Sequence, residues 1–257
     1  MKAILFDLDG VFYQGNHVIR DAPEVSRWLN EQAIPHLFVT NTSSKPRAEI
    51  LSKLNRFGIE TDLEHLFTPA VASLKWLKER SLTHRVALYV PELTQSEFRA
   101  IDSWKNDKEP PEAIIVGDLG FAWNYKLMNQ IFRQLMARPD TPFIALGMTC
   151  YWQAEEGLRL DIAPFIKALE YASGVKAQVM GKPANAFFNA ALKILGAAAK
   201  DTVMIGDDIQ SDIAGAQQAG IAAWLVKTGK FRESDLACGI TPDKVLNSVA
   251  ELQQCWH

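Results

Sequence analysis

The chain has 257 residues, 27 Lys and Arg against 30 Asp and Glu, a formal net charge of −3, and 48% hydrophobic residues, the proportions of an ordinary globular protein of one or two domains. The slightly acidic balance argues against a nucleic-acid partner, and no apolar run reaches the ~18 residues of a membrane span. The opening MKAILFDLDG carries two acids too early for a signal peptide, and Cys150, Cys238 and Cys255 form no CxxC pair, so a reducing, cytoplasmic location is expected.

In chain order, short apolar runs predict strands at Ala3–Phe6, His36–Thr40, Val86–Val90, Ala113–Gly117, Phe143–Gly147, Thr202–Gly206 and Ala222–Val226. Most lack polar alternation, as parallel strands covered on both faces do. Helices fall between them. Asp21 with Glu24 has the pattern of a capping box and opens a helix that buries Val25, Trp28 and Leu29. Ile50, Leu51, Leu54 and Phe57 lie at helical spacing before Gly58. Phe187, Phe188, Ala191, Leu192 and Leu195 line one side of a helix that ends at Gly196, and another runs from about Ser211 to Ala219. Asn106–Pro111 reads as a surface loop. The alternation implies an α/β fold, a Rossmann-like parallel-sheet core with helices on both faces.

Ligands of such sheets bind beyond the carboxyl ends of the strands. Asp7-Leu8-Asp9-Gly10 closes the first strand, and Gly10 permits a sharp exit. Taken alone, this segment also fits a loop with two solvated acids. Ile205-Gly206-Asp207-Asp208, with Asp212 four residues on, ends a later strand in acid. Carboxylates packed this closely repel unless a hard cation such as Mg²⁺ joins them. Asp207, at the strand end, suits a metal ligand, whereas Asp208, and as an alternative Asp212, suit the charge favoured at a helix N-terminus. Thr40-Asn41-Thr42-Ser43-Ser44 offers hydroxyls and N–H groups to an anion, with Ser43 or Ser44 equally suited to N-capping. Gly181-Lys182-Pro183 holds a lysine ahead of a helix, a point charge suited to phosphate, though alone the motif also fits an ordinary exposed lysine.

These four pieces in this order resemble the haloacid dehalogenase superfamily of phosphotransferases. Its pattern is DxD, then a strand-end Thr or Ser, then Lys, then an acidic pair, here Asp7/Asp9, Thr40, Lys182 and Asp207/Asp208. The 141 residues between Thr40 and Lys182 imply an inserted cap of the C2 type, as in the NagD-like (type IIA) subfamily. The segments GLRLDIAPFIKALEYASGVKAQVMGKP, VMIGDDIQSDIAGAQQAG and VKTGKFRESD are similar to the phospholysine phosphohistidine inorganic pyrophosphate phosphatase group. Some members of that group carry Ser where this chain has Asp9, so here the acid is retained.

The resemblance implies a catalytic core of residues 1–81 and 177–257 and a cap of residues 82–176. It implies a Mg²⁺-dependent phosphatase acting on a small phosphorylated molecule through an aspartyl-phosphate. Asp7 is then the nucleophile and Asp9 the general acid and base. Asp7, the Asp9 backbone carbonyl and Asp207 hold the metal, with Asp212 behind a bound water. Thr40, Asn41 and Lys182 bind the phosphoryl oxygens. Dehalogenation would leave the second acid and the metal site unused. A mutase would need a cap between Asp9 and Thr40, where there is no room. The alternative is a regulatory or binding protein with a vestigial site. Caps in this subfamily often pair, which leaves a homodimer open. Tyr151, Trp152 and Gln153 are cap residues for substrate choice or, as aromatic pairs more often are, for cap packing. Trp76 and Trp104 are assigned to packing.

Overall fold

Four fully buried residues, Ala3–Phe6, make the central strand β1, and the sheet grows outward from it. The computed structural model describes residues 1–105, 109–154 and 156–256, and of Gln153 and Ala154 the backbone only. Asn106–Lys108 of the expected surface loop therefore lie outside the described residues. The chain divides into two compact units, Met1–Thr40 with Arg47–Thr68 and Lys182–His257, and Asn41–Pro46 with Pro69–Gly181.

After β1, a small hairpin of β2 (Tyr13–Gln14) and β3 (His17–Val18) leads into α1 (Ala22–Glu31). Then come β4 (His36–Val39), α2 (Arg47–Arg56) and β5 (Leu66–Phe67). The second unit follows with α3 (Pro69–Lys78), β6 (Val86–Tyr89), β7 (Ala113–Val116) and α4 (Tyr125–Ala137). It continues through β8 (Phe143–Ala145), β9 (Tyr151–Ala154), β10 (Gly157–Leu160), α5 (Ala163–Ser173) and β11 (Gln178–Val179). The chain re-enters the first unit at α6 (Asn185–Leu195) and β12 (Thr202–Gly206). A π-helical turn, Ile209–Ala214, runs into α7 (Gly215–Gln218), followed by β13 (Ala222–Val226), β14 (Lys244–Leu246) and α8 (Leu252–Cys255).

The first unit holds a six-stranded sheet in the order β14-β13-β12-β1-β4-β5, every pairing parallel. From β1 the chain moves to β4 on one side, and later from β12 to β13 on the other. The order therefore reverses between β1 and β12, the switch point where such sheets bind ligands. One sheet face packs Ile4, Phe6, Phe38, Val203 and Ile205 against Val25, Leu29, Ile50, Leu54 and Leu252 from the helices. In α6, Phe187 meets Phe67 at 4.8 Å between ring centroids. The second unit carries a parallel sheet, β11-β8-β7-β6, and an antiparallel pair, β9 with β10. Its core joins Ile114, Val116, Phe143 and Ala145 to Ile131 and Leu135 of α4 and Ile166 and Leu169 of α5.

Two local expectations need correction. Asp21 makes no capping bond, because its φ of 61° is left-handed and its side chain lies 3.6 Å from Arg20 instead. Pro23 also removes one of the N–H groups a cap would serve. The helix expected from Ser211 starts earlier, as the π turn at Ile209, with Asp208 as its N-cap.

Candidate active site

β1 and β12 run side by side with Phe6 opposite Ile205, and the Asp7 N–H donates to the Ile205 carbonyl at 2.9 Å. The next residue of each strand, Asp7 and Asp207, thus emerges at the same edge of the sheet. Lys182, 5% exposed, has its ammonium 2.7 Å from Asp7 Oδ1 and 2.7 Å from Asp212 Oδ1. The π turn brings Asp212 inward, where its Oδ2 accepts the Asp208 N–H at 3.1 Å. Gly206 is required there, because a Cβ would collide with the Asp212 carboxylate.

Asp7, Asp207 and Asp212 each place a carboxylate oxygen within 4.8 Å of the others. Burial foremost, and then the Asp7 and Asp212 charges, push the Asp207 carboxyl up to about 8. Asp207 Oδ2 accepts the Lys230 backbone N–H at 2.7 Å, while Oδ1 is buried without a hydrogen-bond partner among the described residues. Burial also raises Asp212, to about 6, against the pull of Lys182. For Lys182 itself, burial opposes the charge, but Asp212 and Asp7 outweigh it and hold the ammonium above its ordinary value. An unpaired buried carboxylate oxygen among three acids is a donor set that fits a hard divalent cation.

Asp9 lies past the strand end in a tight turn whose Leu8 carbonyl accepts the Val11 and Phe12 N–H groups. Its side chain reaches solvent from a recess. That desolvation, with the Asp7 charge, lifts its carboxyl above the ordinary range even though Lys53 pulls it down. Lys53 Nζ sits 3.7 Å over the Tyr13 ring, and Asp9 forms a β-bridge with Tyr13. Asp208, by contrast, caps the π turn through the Gln210 and Ser211 N–H groups at 3.0 and 2.9 Å. Burial would raise it, but these bonds and the Lys230 ammonium hold it below its ordinary value.

Thr40 is buried one strand over from β1, two residues past the Phe38 that pairs with Phe6. Asn41 belongs to the second unit, where its side-chain oxygen lies close to Gly181. Tyr151 and Trp152 are exposed at 59% and 42%, which corrects the cap-packing reading, and Arg159 stands 5.2 Å from the Trp152 ring centroid. The Gln153 side chain lies outside the described residues. Trp104 does pack against the second unit's core.

The sequence reading missed the loop after β13. Thr228 Oγ1 donates to the Gly10 carbonyl, and Gly229, at φ 67°, comes so close to Asp207 that a Cβ would strike its carboxylate. Gly10, at φ 88°, lies equally close to the same carboxylate. The segment VKTGKFRESD contributed to the resemblance, yet nothing in its pattern says that it reaches Asp207.

Two family models match the chain, one described as haloacid dehalogenase-like hydrolase over residues 4–103 and one as HAD-hydrolase-like over residues 179–252. The human phospholysine phosphohistidine inorganic pyrophosphate phosphatase is 38% identical over 239 residues, covering 91% of this chain and 86% of its own. The chain belongs to the haloacid dehalogenase-like hydrolases. Among solved structures, a p-nitrophenyl phosphatase from Archaeoglobus fulgidus superposes with a TM-score of 0.88 at 27% identity, covering 99% of this chain and 98% of its own. NagD from E. coli K-12 shares the fold, at a TM-score of 0.87 and 22% identity over 98% of both chains. The α/β fold expected from sequence is met, and the protein is a phosphohydrolase of the haloacid dehalogenase-like family. Among the described residues, no helix is long and apolar enough to cross a membrane.

Proposed function

We propose that the protein is a Mg²⁺-dependent phosphatase that works through an aspartyl-phosphate on Asp7. The observation that carries this reading is the buried set of Asp7, Lys182, Asp207 and Asp212, with Asp207 Oδ1 lacking a hydrogen-bond partner among the described residues. Asp7, the Asp9 backbone carbonyl and Asp207 would hold the ion, with Asp212 behind them. Mg²⁺ bound there supplies positive charge that offsets repulsion between an anionic nucleophile and an anionic phosphate.

The chain's own groups do the rest. Lys182 holds Asp7 in place and keeps a positive charge where phosphoryl oxygens would gather. Asp7 attacks phosphorus and the bond to the leaving group breaks. Asp9, whose raised carboxyl keeps a proton more readily than an ordinary aspartate, gives that proton to the departing oxygen. It then takes a proton from the water that attacks phospho-Asp7, and inorganic phosphate leaves. Thr40 and the Asn41 backbone bind phosphoryl oxygens. The substrate is a small phosphate ester, phosphoamide or pyrophosphate, with its choice set in the cap residues 82–176.

The test is turnover of 4-nitrophenyl phosphate with Mg²⁺ and acid-quench trapping of labelled enzyme. Wild type should turn over and carry label, and Asp7→Asn should do neither while remaining folded. Turnover by a clean Asp7→Asn preparation would overturn the reading.

A further inference from the structure

The second unit holds a cavity of about 630 Å³, bounded by one side of α4 and by the chain ahead of β7. Among the described residues, none of Asp7, Asp9, Thr40, Lys182 and Asp207 lines it. Lys126, Gln130, Arg133 and Gln134 do, and at i, i+4, i+7 and i+8 they share one face of the helix. Ile131 and Leu135, on the adjoining face, enter the core of the unit. Trp104 and Glu109 complete the wall. The Trp104 ring packs against the same core, and its Nε1–H donates to the Glu109 carbonyl at 2.7 Å, which fixes the edge of the indole.

The polar groups of this wall are poorly served by the chain. Gln134 is 7% exposed, and neither the oxygen nor the nitrogen of its amide has a hydrogen-bond partner among the described residues. A buried amide in that state costs stability unless something outside the polypeptide pairs with it. Lys126 and Arg133 have no ion-pair partner among the described residues. The Glu109 carboxylate does not serve them, because it pairs with Arg85, which also meets Glu112 at 2.7 Å. The cavity thus offers two uncommitted positive charges, an aromatic ring, and an amide that can both donate and accept. Its volume falls in the range of small-molecule sites, about 300–1,000 Å³. A bare anion would leave Trp104 and Gln134 unused, and an uncharged ring would leave two cations unmet. We propose that this cavity is a binding site for an aromatic anion of the nucleoside monophosphate class. Trp104 stacks the base, Gln134 and Gln130 pair with its heteroatoms, and Lys126 and Arg133, two turns apart on long flexible stems, take the phosphate. Its occupancy does not depend on the phosphatase reading.

The experiment titrates the full chain with adenosine 5′-monophosphate in chelator, by calorimetry and tryptophan fluorescence, with the nucleotide recovered intact at the end. Adenosine alone and inorganic phosphate alone are the comparisons. One site should appear, with a fluorescence change that Trp104→Phe abolishes. Lys126→Met and Arg133→Met, both at exposed positions and so neutral to folding, should each weaken binding about tenfold by removing a charge-assisted hydrogen bond. Gln134→Leu should also weaken it, while the melting temperature without nucleotide holds or rises, because an unserved buried amide has been removed. Adenosine and phosphate should each bind at least tenfold more weakly than the nucleotide. No binding at millimolar nucleotide would overturn the proposal, as would phosphate binding as tightly as the nucleotide. Binding unchanged in Lys126→Met and Arg133→Met would place the nucleotide elsewhere and refute the site. A Gln134→Leu protein that melts lower yet binds with unchanged affinity would show that Gln134 is structural, and would refute it too.

Discussion

Replacing Lys182 by Met keeps the length of the side chain and removes its charge. Lys182 is almost fully buried and pairs at 2.7 Å with both Asp7 and Asp212, which are themselves buried. Breaking a buried pair by deleting one partner costs about 3–5 kcal/mol, because the other charge is left uncompensated. At roughly 2 °C per kcal/mol for a chain of this length, the melting temperature should fall by about 6–10 °C in chelator. The loss should depend on pH in a definite direction. Without Lys182 the folded-state pKa of Asp212 rises further above its unfolded value. The folded variant then binds protons that the unfolded chain has lost, and its stability falls as pH rises. The deficit should be full at pH 9 and smaller at pH 5, where the acids protonate and their repulsion fades. Thermal unfolding of wild type and variant at pH 5 and pH 9, each with and without Mg²⁺, reads this directly. Mg²⁺ should recover part of the loss at pH 9. A shift below ~2 °C, or the same shift at both pH values, would refute the argument that Lys182 is held by a buried charge balance.

The remaining predictions concern the groups around that lysine. Gly229→Ala forces a Cβ against Asp207 at a left-handed φ of 67°, so kcat/KM should drop at least tenfold and stability by about 1–2 kcal/mol, and wild-type activity would show that the loop does not position Asp207. In metal-free protein the Asp207 carboxyl rises to about 8, so the stabilisation by Mg²⁺ should grow from pH 6 to pH 9, and a melting-temperature gain independent of pH would rule out proton release from this site. Asp9→Asn should slow an alkyl phosphate by roughly 10²–10⁴-fold and a nitrophenyl phosphate less, since the nitrophenolate needs less protonation. Equal losses on the two esters, with no phosphoenzyme trapped, would remove Asp9 from the acid and base roles.

Strands were legible where burial on both faces leaves nothing but apolar residues. Thr202–Gly206 and Ala222–Val226 coincide with β12 and β13 to the residue. The two-residue strand β5 and the edge strand β14 carry too few residues to make a pattern and were not foreseen. The hydrophobic period located the helix after Pro183, including its end at Gly196 in a left-handed conformation. It could not show that the turn after Asp208 is π-helical, because that depends on fitting Asp212 beside Gly206 and Lys182. Asp7 and Asp207 stand out as acids at strand ends, whereas Lys182 and Asp212 are weak signals on their own and gain their roles only from the resemblance. Thr228, Gly229 and Lys230 were missed because they meet Gly10 and Asp207 only through the pairing of parallel strands. Local sequence carries no trace of such a meeting.

The adjacent acids Asp207 and Asp208 show how a fold distinguishes two identical side chains. Both are charged to different extents by their surroundings rather than by their chemistry. Asp208 sits at the opening of a helical turn, and its Oδ1 accepts the Gln210 and Ser211 N–H groups while Oδ2 meets Lys230. Its negative charge is thus satisfied by the protein, and its carboxyl is held down. Asp207 is deeper, accepts one backbone N–H, faces Asp7 and Asp212, and has a buried oxygen with no hydrogen-bond partner among the described residues. Leaving a buried carboxylate so poorly served costs stability unless something outside the polypeptide supplies the missing charge. A divalent cation is the economical supplier, since one ion would serve Asp7 and Asp207 together. The same logic separates Lys182 from Lys230. The first is locked by the acids it neutralises, and the second is largely exposed, with its ammonium 3.3 Å from Asp208 Oδ2.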